Sequence, residues 1–62
     1  MNQIVKILME RDGMTKRDAT NLFNEVKEMV IDAAEKGDYS EAEDILLSEL
    51  GLEIDYIFDI LL

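Results

Sequence analysis

The sequence predicts an all-α fold, a small bundle of four helices in a single domain spanning 1–62. Three observations point to it. The chain has no proline and three glycines, at positions 13, 37 and 51, placed as stops between helices rather than as the turns of a β fold. Apolar residues recur at spacings of three and four, the period of a half-buried helix. Residues able to cap a helix start stand ahead of the periodic stretches. The helices are expected at about 2–12, 16–36, 41–50 and 53–61.

The first helix carries Ile4, Val5, Ile7 and Leu8 on roughly one stripe, with Lys6 and Glu10 as an i,i+4 pair on the other side. Gly13 ends it. Thr15 opens the second helix as its cap, with Asp18 in the position of a capping-box acid and Met14 able to staple onto Ala19. Ala19, Leu22, Phe23, Val26, Met29, Val30 and Ala33 then form the strongest periodic signal in the chain, and Lys36 and Gly37 mark its end. Ser40 is expected to open the third helix with the capping box Ser40-Glu41-Ala42-Glu43, and Ala42, Ile45, Leu46, Leu47 and Leu50 give it an apolar face. Gly51 ends it.

The last segment, EIDYIFDILL, is apolar nearly all round. Ile54, Ile57, Phe58 and Leu61 are expected on one face, against the second helix, with Tyr56 and Ile60 nearly opposite. A helix of that kind is normally covered on more than one side. The second face is covered either by the other helices of the same chain or by a second subunit or partner. Tyr56, Ile60 and Leu62 are therefore the candidate oligomer face.

Composition narrows the functional classes. A chain of 62 residues buries only about 60% of its unfolded surface, so it is marginal without help. With no cysteine and no histidine, disulfides, thiolate metal sites and the commonest general base are all missing, which leaves oligomerisation or docking as the stabilising device. No apolar run approaches the about 18 residues of a membrane span. The N-terminus reads as a helix rather than a signal peptide, so the expected compartment is the cytoplasm. The formal net charge is −9, and it is segregated: residues 1–31 hold five bases and five acids, whereas residues 32–62 hold ten acids and only Lys36. Such a half repels nucleic acid and anionic lipid and attracts a basic surface.

Specific chemistry finds little support. Asp38 and Glu49 stand as the first and last residues of a twelve-residue EF-hand loop, but Ala42 occupies its fifth position and Glu43 its turn-glycine position. Serine and threonine lack a histidine partner, which excludes a triad, and paired carboxylates would need a cleft that so short a chain seldom encloses. No phosphate-binding glycine loop and no Asp-Ser-Leu carrier site occur. Arg11, Lys16 and Arg17 near the first turn invite a helix-turn-helix reading, which the acidic balance opposes; they read as solubilising charges or as partners for the acidic half. Glu49 reads as an exposed border residue, with a salt bridge to a partner's base as the alternative. The expectation is a protein that is not an enzyme and holds no cofactor or metal.

The segments ERDGMTKRDA, GDYSEAEDIL and LGLEIDYIFDIL resemble small acidic helical proteins of bacteria, especially Gram-positive ones, and of their phages and mobile elements. The resemblance extends over most of the chain. It implies a cytoplasmic origin and a role in phage–host or mobile-element biology; that group has no established activity, so no site residue transfers from it.

Two functions are then expected as alternatives. In the first, the acidic surface of Glu35, Asp38, Glu41, Glu43 and Asp44 binds a protein partner with a basic surface, for instance by standing in for phosphates at a nucleic-acid site. In the second, the chain is a homo-oligomeric assembly subunit, a homodimer being the simplest case, with no separate ligand.

Overall fold

Helix α1 covers Gln3–Asp12, α2 covers Lys16–Glu35, α3 covers Tyr39–Ile45 and runs on as a π-helical turn over Leu46–Leu50, and a 3₁₀ turn over Ile54–Tyr56 leads into α4 at Ile57–Leu61. The computed structural model describes residues 2–61, and all regular structure among them is helical. The 20 residues of α2 span about 30 Å at about 1.5 Å each, nearly the whole 32 Å long axis of the molecule. It is the spine on which α1, α3 and α4 all pack.

The α2 stripe is the centre of the core. Ala19, Phe23, Val26, Val30 and Ala33 are buried, joined by Ile4, Val5 and Leu8 of α1, Ala42, Leu46 and Leu50 of the third helix, and Leu52, Ile57 and Ile60 beyond it. Every buried side chain among the described residues is apolar. Leu22 and Met29, seven residues apart on one edge of the stripe, fall short of the interior, and Met29 is exposed. Lys27 extends over the Phe23 ring at 6.0 Å from its centroid, the outer limit of a cation–π contact.

The helix starts follow local chemistry, with one correction. Thr15 caps α2 as expected, its Oγ1 accepting from the Asp18 amide at 3.1 Å. The third helix, however, begins at Tyr39, and its cap is Asp38, whose Oδ1 accepts from the Glu41 amide at 3.0 Å. Ser40 is already inside the first turn. Both residues can cap, but the carboxylate also complements the positive end of the helix dipole, and the tight ending of α2 delivers Asp38 straight into position. There the Gly37 amide donates to the Ala34 carbonyl and the Asp38 amide to the Ala33 carbonyl, the paired bonds of a Schellman ending.

Helices one and three end by a different, shared device. Leu8 is followed five residues on by Gly13, and Leu46 by Gly51. The Gly13 amide donates five residues back to the Leu8 carbonyl, and the Gly51 amide is shared between the Leu46 carbonyl, five back, and the Leu47 carbonyl, four back at 3.0 Å. The next amide, of Met14 or Leu52, reaches the same carbonyl at 3.5 or 3.2 Å. The wider turn needs a left-handed residue at its end, and Gly13 (φ 68°) and Gly51 (φ 66°) supply it. It also turns Leu52 back into the core.

Two side chains at opposite ends of α1 close the bundle. Asn2 accepts from the Ile4 amide at 2.7 Å and the Val5 amide at 3.4 Å, capping α1, while its Nδ2 donates to the Asp59 carbonyl at 3.2 Å. At the other end, Arg11 donates to the Leu50 carbonyl at 2.6 Å. Since Leu50 meets one end of α1 and Asp59 the other, the chain from 50 to 59 runs back along α1. Asn2→Ala is expected to lower stability by about 1–2 kcal/mol, because loss of a cap alone costs about 1. Asn2→Asp, which keeps the acceptor and loses the donor, should fall between the two in a urea or thermal melt.

The last segment corrects the expected faces. Ile60 is 3% exposed and Ile57 is also buried, whereas Phe58 is 64% exposed and Leu61 is exposed. Ile60 is therefore core of the single chain and not an oligomer face; Tyr56 is half-buried against the same core, and Leu62 lies outside the described residues. The reason is the 3₁₀ turn. Its about 120° per residue changes the phase with which α4 begins, so Ile57 and Ile60 turn inward and Phe58 outward.

Candidate functional site

The ionic surface is built around one clip, Arg11 with Asp12, and one turn, at Lys36. Arg11 meets Asp12 through Nε and Oδ1 at 2.9 Å and through Nη2 and Oδ2 at 2.9 Å. That hydrogen bond holds the Asp12 carboxyl below the usual carboxylate range and the guanidinium above its own. Arg11 is thus a structural residue linking α1 to the end of the third helix, a role its sequence position near Lys16 and Arg17 did not disclose. Lys6 and Glu10, expected as a pair, form no ion pair among the described residues.

The Asp12 shift has a definite sign. A carboxyl whose value is depressed in the folded state contributes stability above its unfolded value, about 3.9, and loses that contribution as pH falls through the folded one. Arg11→Ala should therefore be destabilised at neutral pH. Its deficit relative to wild type should narrow in urea melts taken below about pH 4, without vanishing, because the bond to the Leu50 carbonyl does not depend on Asp12.

The turn between α2 and α3 gathers acids around one base. Lys36 Nζ lies 2.9 Å from the Asp32 carboxylate, one helical turn back. Its value is raised chiefly by that hydrogen bond and charge, with the charges of Glu41 and Asp38 adding to it. This pair therefore supports the fold below the ordinary lysine value and stops doing so as pH rises through the raised one. The single base of the acidic half is engaged within its own chain.

All five acids of the expected partner surface, Glu35, Asp38, Glu41, Glu43 and Asp44, are exposed, but they do not form one patch. Asp38 and Glu41 share the Lys36 turn. Glu43, two residues past Glu41 and so about 200° around the helix, faces the other way. It lines an open hollow of about 300 Å³ together with Leu47, Leu52, Glu53 and Ile54. Leu47 is 62% exposed, since the buried line of this helix runs through Ala42, Leu46 and Leu50 and leaves Leu47 about 100° off it. Glu53 and Leu52 were not singled out by periodicity. Their signal was the Leu-Gly-Leu-Glu run, in which a left-handed glycine folds Leu52 inward and leaves Glu53 at the lip.

No group of three or more acidic side chains among the described residues is placed to hold a metal ion. No helix among them is long and apolar enough to cross a membrane. Glu49 is exposed near the end of the third helix. Comparison with known protein families, with curated proteins and with solved structures gives no match.

Proposed function

We propose that this protein is a small binding module acting by contact rather than by bond-making, whose acidic C-terminal half docks on the basic surface of a protein partner. The observation that supports this most is the charge segregation: ten acids against one base over residues 32–62, with that base, Lys36, already paired to Asp32. The unspent negative field steers a cationic surface toward it and repels nucleic acid and anionic membrane. A cytoplasmic setting in a bacterium, phage or mobile element belongs to the same proposal.

The test is salt-dependent binding to a lysine-rich helical peptide, followed by fluorescence anisotropy. Affinity should fall steeply as ionic strength rises, and a glutamine variant at Glu35, Asp38, Glu41, Glu43 and Asp44 should lose most of it. Binding that ignores both salt and those substitutions removes the proposal. A second reading, the homo-oligomer, is favoured by Phe58 and Leu61, which leave apolar surface on the outer side of α4. Self-association that persists or strengthens at high salt in sedimentation would support it, because apolar burial is little screened.

A further inference from the structure

We infer that the hollow between the third helix and the Ile54–Tyr56 turn is an anchor site for one apolar side chain of a basic amphipathic segment from another protein. The flanking Lys or Arg residues of that segment would meet Glu43 and Glu53. This rests on the binding-module reading and narrows it to one place and one kind of partner.

The floor and walls are Leu47, Leu52 and Ile54, and the two remaining lining residues are both carboxylates, Glu43 and Glu53. Leu47 stands one helical turn after Glu43, so the apolar and acidic groups share one side of the helix. The Glu53 side chain makes no capping hydrogen bond to the 3₁₀ turn that follows it, which leaves the carboxylate available at the lip. The hollow's volume of about 300 Å³ lies at the lower end of small-molecule sites, roughly 300–1,000 Å³. It is open-sided, and no buried polar side chain among the described residues is present to orient a small ligand. One leucine-sized anchor suits it better.

Charge selects the occupant. An apolar hollow with an acidic rim complements a segment that places Lys or Arg beside Leu or Ile, as helices that bind in grooves do with their anchors at i, i+3 and i+4. A second copy of this chain is a poor fit, because it brings a net charge of −9 to a rim that is already negative. An anionic membrane surface is repelled for the same reason.

The probe is a short amphipathic helical peptide of leucine and lysine, with two controls: its leucines changed to alanine, and its lysines changed to glutamine. Binding is measured to wild type, to Leu47→Ala, to Glu43→Gln with Glu53→Gln, and to Glu35→Gln with Glu41→Gln, which removes equal charge elsewhere. All five substituted positions are exposed, and thermal melts check that each variant is folded. Leu47→Ala should weaken the leucine–lysine peptide about tenfold, about 1.4 kcal/mol, and should not affect the alanine peptide. The Glu43/Glu53 pair should cost more than the Glu35/Glu41 pair. Equal losses from the two acidic pairs, with Leu47→Ala silent, would overturn the anchor site while leaving general acidic docking in place. No binding of any peptide by wild type would remove both readings. Wild type that dimerises alone, with Leu47→Ala monomeric, would assign the hollow to a second copy and overturn the inference.

Discussion

Val26→Asp is expected to abolish cooperative folding. Val26 is 1% exposed, in the middle of the α2 stripe, and every buried neighbour is apolar. The substitution forfeits about 1.5–3 kcal/mol of apolar burial. It also places a carboxyl where no partner can satisfy it, so the group must take up a proton. Raising its value from about 4 to about 7 costs roughly 4 kcal/mol more, at about 1.4 per unit. The sum, about 6 kcal/mol, falls within the roughly 3–9 kcal/mol of total stability expected of a domain this size at about 0.05–0.15 per residue. Phe23→Ala, in the same stripe, should cost about 3–5 kcal/mol and also strip Lys27 of the ring it covers. The check is a far-ultraviolet circular dichroism melt. A sigmoidal transition near the wild-type temperature in Val26→Asp would show that α2 does not form the core.

Ile60→Asp is expected to unfold the domain or release α4, whereas Phe58→Asp leaves stability within about 0.5 kcal/mol of wild type. The two positions are two residues apart on one short helix and differ in where they point: 3% exposed against 64%. Ile60 packs beside Ile57 in a core that has only 14 buried members among the described residues, and displacing α4 also breaks the Asn2 bond to the Asp59 carbonyl. The surface area of the chain, 4175 Å², is close to the about 4,100 Å² that a folded monomer of its mass exposes, in keeping with a core that one chain closes by itself. Thermal melts and sedimentation run on the two variants read this directly. An Ile60→Asp protein that melts like wild type but sediments as a lighter species would return Ile60 to an intermolecular face. Phe58→Asp that becomes lighter while staying folded would place the contact at Phe58.

The legible parts of the sequence were those where a local rule and the tertiary outcome coincide. The α2 stripe announced the core because five of its seven residues are buried where the period placed them. Thr15 and the three glycines announced helix ends, because a cap or a left-handed residue acts through bonds within a few positions. The acids were legible as a charge excess, and helix period alone separates Glu41 from Glu43; that Glu43 meets Glu53 at one hollow was not legible, since it depends on how residues 52–54 fold back beside the third helix.

By itself, the sequence determined an all-helical chain, the spine helix, the stops between helices and the one-sided charge. Each depends on interactions within about one helical turn, or on composition alone. Only the tertiary structure decided which side of EIDYIFDILL goes inside, that Arg11 and Asn2 clip the ends of α1 to residues 50 and 59, and that Glu43 and Glu53 come to flank the same hollow. Where a segment is apolar on all sides, or where a partner lies 39 or 57 residues away, periodicity carries no phase and no distance. Those are set when the packing of α2 chooses the direction in which the chain returns.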